Sequence, residues 1–175
     1  MTGPFRHAIP LLLACTCLGA GSLRAQAQDE FLLKAALSYN FAKFATWPDM
    51  AADDTVEFCY MSPAYAGSFA PLIERTVQNR TVVLRRLDAA LDLRGCDLLY
   101  LDRNEPTLIE RVTAAAPAPG VLTVSDFEGF SEIGGMIEIQ TIDNRLRFRV
   151  NLGVVQAAGI SLSSQLLNLA TEVVR

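Results

Sequence analysis

The chain has 175 residues, 51% of them hydrophobic and 19% charged, with 15 basic side chains against 19 acidic ones. That length suits one ordinary domain able to bury a sizeable core. The acidic balance argues against nucleic acid and anionic membrane surfaces as partners.

The first residues read as a secretory leader. Arg6 and His7 form a short basic n-region, residues 8–20 an apolar stretch too short to span a bilayer comfortably, and Ala25-Gln26-Ala27 a small-residue cleavage site. The expected organisation is a signal peptide over residues 1–27 and one mature domain over residues 28–175. Losing Arg6 and Arg24 leaves that domain 13 basic and 19 acidic residues, a net charge of −6. Leu12-Leu13-Ala14-Cys15 offers a second reading, a lipobox that would make Cys15 the lipidated anchor of a lipoprotein. Both readings send the chain through the inner membrane, so the periplasm is the expected address. Beyond residue 27 no apolar run reaches the roughly 18 residues of a membrane-spanning helix.

A helix is expected over residues 29–47, with Asp29 and Glu30 suited to its positive end and Pro48 stopping it. Its apolar residues fall on two sides: Phe31, Ala35, Tyr39 and Ala42 on one, Leu33, Leu37, Phe41 and Phe44 on the other. Such a helix is deeply buried in its own domain or shared with another chain, so a homodimer stays open. Strands follow over residues 55–61, 81–87, 96–101 and 121–124, with helices over 68–78 and 105–116 between them. That alternation predicts parallel strands joined by helical crossovers. Residues 136–141 and 146–150 then alternate with period two around Asp143-Asn144, the pattern of a tight hairpin. Its register would oppose Ile139 to Phe148, Ile137 to Val150 and Glu138 to Arg149. A short helix over 153–158 closes at Gly159, and a last one starts near Ser161 or Ser163, with Leu162, Leu166, Leu169, Ala170 and Val173 as its inner stripe. The expected fold is therefore a single α/β domain. Its sheet is mixed and mostly parallel, with helices on both faces in Rossmann-like layers and an antiparallel hairpin towards the C-terminus.

The chemistry is sparse. His7 is the only histidine and lies in the leader, which leaves the mature domain without Ser-His-Asp or Cys-His catalysis or histidine metal sites. Of the four cysteines only Cys59 and Cys96 lie beyond the leader; they are too few for a four-thiolate zinc site and too far apart for C-x-x-C. No phosphate-cradling glycine motif occurs, and Gly134-Gly135 reads as a plain turn. No cofactor and no metal are expected. In an oxidising compartment the two cysteines suggest a disulfide, which at this loop length contributes about 4 kcal/mol in the chain-entropy model; two buried free thiols are the alternative. Asp53-Asp54 and Asp88/Asp92 read as solvated charge. Arg145, Arg147 and Arg149 share a hairpin face that is a solvated outer surface or a holder of an anionic ligand or acidic partner. A small-ligand receptor remains the rival function, its site at the carboxyl ends of the parallel strands, near residues 62–67 or 125–129. A carboxylate hydrolase is the third.

Three segments resemble the YfiR family. They are Lys34-Ala35-Ala36-Leu37-Ser38-Tyr39-Asn40-Phe41-Ala42-Lys43-Phe44 with Trp47-Pro48; Val121-Leu122-Thr123-Val124-Ser125-Asp126 with Gly129-Phe130 and Gly134-Gly135-Met136-Ile137; and Arg147-Phe148-Arg149-Val150-Asn151 continuing to Leu166-Leu167-Asn168-Leu169-Ala170. The resemblance implies a non-catalytic periplasmic protein. It would bind the periplasmic sensor domain of an inner-membrane diguanylate cyclase and restrain cyclic-di-GMP synthesis and biofilm formation. It implies a disulfide matching Cys59–Cys96. It places the partner surface on residues 148–155, with Phe148, Arg149, Asn151 and Val155 as the candidate contacts. The family commonly has Glu where this chain has Arg149, a reversal of charge within that surface.

Overall fold

The computed structural model describes residues 20–48 and 54–175, with side chains from residue 29 onward. Arg6, His7, Cys15 and Asp53 lie outside the described residues. Helix α1 spans Ala20–Phe44. It stops earlier than Pro48 demands, because Ala45–Thr46 turns into a short strand, β1, that pairs antiparallel with β9 (Ser161–Leu162). The inward row of α1 is Phe31, Lys34, Ala35, Ser38, Phe41 and Ala42, at the three-and-four spacing of one helical face. The two-sided apolar pattern is thus corrected: Leu37 and Phe44 are only partly buried and Leu33 is exposed, while two polar residues, Lys34 and Ser38, sit in the buried row.

An eight-stranded sheet forms the body. Its strands are β2 (Thr55–Tyr60), β3 (Thr76–Val77), β4 (Arg80–Arg86), β5 (Leu98–Leu101), β6 (Leu122–Ser125), β7 (Ile137–Ile142), β8 (Arg145–Asn151) and β10 (Glu172–Val174). They lie in the order β10-β8-β7-β6-β5-β2-β4-β3. Five of the seven pairings are parallel; β3–β4 and β7–β8 are antiparallel. The mixed, mostly parallel α/β sheet is as expected. All four residues of β5 are buried, with Leu98 and Tyr100 in one apolar cluster and Leu99 and Leu101 in the other. A strand covered on both faces reads as an unbroken apolar run for this reason. The larger cluster packs α1, Trp47 and Phe69 on one face; the smaller packs the cysteine pair and helix α3 (Pro106–Ala114) on the other.

The hairpin has the expected register, with Ile137 opposite Val150, Glu138 opposite Arg149 and Ile139 opposite Phe148. Its turn residues Asp143 and Asn144 take φ of 49° and 57°, the left-handed pair that a two-residue hairpin requires.

Two expected helices are cut short. Over residues 68–78 the chain finishes the single-turn α2 (Ala66–Phe69), makes a 3-10 turn (Ala70–Leu72) and enters β3. Pro71 withholds a main-chain donor there, and Gln78-Asn79, with φ of 52° and 69°, makes the tight turn from β3 into β4. The final helix is only α5 (Ser164–Leu167), capped by the Ser163 hydroxyl. Thr171 then donates its amide and hydroxyl to the Phe148 carbonyl, at 2.9 and 3.0 Å, and Glu172-Val173-Val174 joins the sheet edge beside Arg149–Asn151. The β-branched valines gain more from that open edge than from a short exposed helix. Helix α4 (Leu152–Ala157) follows β8 directly and ends before Gly159, whose φ is 77°.

Candidate functional site

The candidate partner segment runs from β8 into α4, at the end of the sheet where β8 finishes. Period-two alternation decides what it shows. Phe148 and Val150 point into the core, where the Phe148 ring meets Phe41 edge-on at 4.9 Å. Val155 is fully buried beneath α4. Asn151 is committed to the backbone: its Oδ1 accepts from the Val154 amide at 3.1 Å as the helix cap, and its Nδ2 donates to the Ser131 carbonyl at 2.8 Å. The surface of this segment is made instead by Gly153, Gln156 and Ala157, which are exposed, and by Leu152 and Val154 at its margin. The four residues singled out in the sequence are thus brought together, but as the support of the surface rather than its outer face.

Arg149 is the hub of this support. It contacts Glu132 and Glu172 at 2.7 Å each and lies 3.9 Å from the carboxylate of Glu138. The solvated-face expectation therefore holds for Arg145 and Arg147, which are exposed, and fails for Arg149, which is 17% exposed. Three acids of its own chain surround this guanidinium, so it is not free to hold an anion. Glu138 is the residue that sequence reasoning missed here. It is completely buried, yet ionised: burial pushes its carboxyl up, and donors from Ser131, Gln140 and Gly129 more than offset this and hold it below the usual range. Those bonds clamp the loop from Gly129 to Gly135. Gly135 has a second role in that loop, because a Cβ there would lie 2.3 Å from the Phe130 ring.

At the opposite end, strand order reverses between β2 and β5, the place where open α/β sheets usually bind ligands. Here the chain fills that place itself. Phe31 of α1 packs edge-on to Tyr65 at 4.8 Å, Tyr65 lies against Tyr100 at 4.5 Å, and the two hydroxyls are 3.2 Å apart. Burial drives both phenols upward, well out of the physiological range. Beside them Lys34, 2% exposed, meets Asp126 at 2.7 Å and Glu30 at 2.5 Å. Arg103 contacts the same Asp126 at 2.6 Å and Glu30 at 3.1 Å. Burial pushes the Asp126 carboxyl up, but hydrogen bonds and charge from Lys34 and Arg103 hold it below its ordinary value. Helix α1 thus packs on Tyr65 of the loop at residues 62–67 and reaches Asp126 of the loop at residues 125–129, an arrangement that neither loop signals in the sequence.

Cys59 and Cys96 form a disulfide, with Cα atoms 5.9 Å apart. Glu57 is close enough to the two sulfurs to complete a metal-ligand group if they were free thiolates. Both are covalently tied, and Arg85 already places positive charge there, 3.0 Å from Glu57 and 3.2 Å from the Cys96 sulfur. Of the acids read as solvated charge, Asp88 is exposed and accepts from the Ala90 amide, and Asp92 accepts from the Arg94 amide and pairs with the Arg94 side chain. Glu105 is a carboxyl raised by burial, and it accepts from the Asp102 amide in the turn before α3.

A crystal structure of a conserved domain protein from Vibrio cholerae O1 biovar El Tor str. N16961 is similar at 13% identity and a TM-score of 0.46, covering 68% of this chain and 54% of that one. The chain thus spans about half the length of that protein. The YfiR/HmsC-like family model matches residues 32–171, from the buried face of α1 to the Thr171 anchor of the last strand. This chain belongs to the YfiR/HmsC-like family.

Proposed function

We propose that this protein is a non-catalytic periplasmic regulator that binds and represses an inner-membrane signalling protein. Its partner on this reading is the periplasmic sensor domain of a diguanylate cyclase. The observation that carries the reading is the family match over residues 32–171. The chemistry of the chain agrees with it. The buried carboxylates Asp126 and Glu138 are locked in their ionised form by donors, and no His lies beyond His7. Neither carboxylate can serve as a poised acid.

Repression works by population shift: holding one conformation of the sensor keeps the cytoplasmic output off. The contact falls on the exposed face of α4, through Gly153, Gln156 and Ala157. Phe148, Asn151 and Val155 fix the pose of that helix from below. Arg149 acts inside the fold, which accounts for a positive charge where the family commonly has a negative one. The test is co-purification from detergent-solubilised membranes under oxidising conditions, comparing the native protein with Ala157→Arg. Recovery of a membrane cyclase by the native protein and its loss in the variant supports the reading; recovery of no membrane sensor refutes it.

A further inference from the structure

The sheet has an internal notch. Strand β6 ends at Ser125, and its pairing with β7 covers only Ile137 and Glu138. Strand β7 runs on to Ile142, held on its far side by β8 along its whole length. Residues 139–142 therefore have a partner on one side and none on the other among the described residues. The hairpin geometry says which main-chain groups face the gap. In a two-residue hairpin the flanking pair, here Ile142 and Arg145, exchanges hydrogen bonds, and the alternation along an antiparallel ladder then turns Ile139 and Thr141 to the opposite edge. The Phe127 amide, just beyond β6, is taken by the Ser125 hydroxyl at 3.0 Å. A cavity of about 350 Å³ fills the gap, lined by this edge together with Arg103, Asp126 and Glu128.

Natural sheets protect such edges with proline, lysine or a covering loop. Ile139-Gln140-Thr141-Ile142 has no proline and no charge, and three of its four residues are β-branched. Ile142 is 43% exposed beside it. The charges lining the notch are unequal in what they have left to give. Asp126 is neutralised by Lys34 and Arg103. Glu128 is exposed and has no ion pair among the described residues. Arg103 is held by Asp126 and Glu30, so the exposed Glu128 carboxylate is the charge left for a ligand.

We propose that this notch receives an extended peptide segment of a partner protein. The segment adds as a short strand against Ile139–Ile142, in line with β6, and carries a basic side chain that meets Glu128. Main-chain bonds to Thr141 supply much of the affinity, and the basic residue supplies selectivity. The notch opens at the hairpin tip, while α4 lies at the other end of β8, so this surface and the α4 surface can be occupied together.

The probe is an acetylated, amidated hexapeptide, one lysine followed by alternating valine and threonine, titrated into the isotope-labelled, disulfide-intact protein and followed by amide NMR shifts. The expected result is saturable shifts at residues 139–142 and Glu128. Methylating alternate peptide nitrogens removes main-chain bonds and weakens binding at least about tenfold, since roughly 1.4 kcal/mol is a factor of ten. Replacing the peptide lysine by glutamate, or Glu128→Lys in the protein, does the same. Thr141→Pro removes the edge donor while leaving the β8 ladder intact; if that variant does not fold, the exposed Glu128→Lys variant carries the test. No shift at millimolar peptide, equal affinity for the methylated peptide, equally tight binding of lysine amide alone, or concentration-dependent shifts at these residues without peptide would each overturn the proposal. The last would put a second copy of this chain in the notch.

Discussion

Replacing Asp126 by Asn isolates the contact that pins α1 to the sheet. The carboxylate is 1% exposed and receives Lys34 at 2.7 Å and Arg103 at 2.6 Å. The Asp126→Asn change would leave the Lys34 ammonium buried with only Glu30, itself 44% exposed, to balance it. Removing one partner of a buried pair costs about 3–5 kcal/mol, and the half-exposed Arg103 places the value near the lower end. At about 2–4 °C per kcal/mol for a domain of this size, the thermal midpoint should fall by about 6–12 °C. Lys34→Met should cost less, about 1–2 kcal/mol, because Asp126 keeps Arg103 and the methionine stem still packs under Phe31. The pH dependence has a definite sign. A carboxyl held below its unfolded value near 3.9 contributes stability that is present above that value and is lost as pH falls through the lower folded one. The native protein should therefore lose stability below about pH 4 more steeply than Asp126→Asn. Thermal and urea unfolding followed by Trp47 fluorescence at pH 7 and pH 3 read all three effects. An Asn variant within 0.5 kcal/mol of native, or a Met variant less stable than the Asn variant, would refute this account of α1.

Three further outcomes follow from the geometry. Reducing the Cys59–Cys96 bridge, which spans 37 positions, should cost about 4 kcal/mol, read by calorimetry with and without a phosphine reductant. Glu138→Gln should cost about 2–3 kcal/mol at pH 7, because a buried carboxylate with four donors loses its charge-assisted bonds, and the deficit should shrink below about pH 4 as the native carboxyl protonates. Gly135→Ala should destabilise by about 2 kcal/mol or more, since its Cβ collides with the Phe130 ring; chemical denaturation checks it, and a neutral result would mean the loop moves freely.

What could be read from the residues depended on the range of the forces. The β7–β8 register was legible because Asp143-Asn144 and the alternating side chains fix it locally. The buried strand β5 was legible from Leu98-Leu99-Tyr100-Leu101 alone. The last segment misled because Leu166, Leu169 and Val173 keep helical spacing, and only the open edge of β8, remote in sequence, draws residues 172–174 into a strand. The burial of Lys34 and Glu138 depends on Asp126 and on the Gly129–Gly135 loop, which nothing near them in sequence announces. For the same reason the burial of the candidate residues of β8 and α4 was not legible. Phe148 and Val155 belong to a core that only the folded sheet assembles.

The claim that this protein works by surface contact with a membrane cyclase is tested most directly in cells. Cyclic-di-GMP should be measured after deleting the gene and after restoring it as native protein or as Ala157→Arg, with each form checked for folding and export. Deletion should raise the nucleotide, the native protein should bring it back down, and the folded, exported variant should not. A nucleotide level indifferent to deletion would contradict the account.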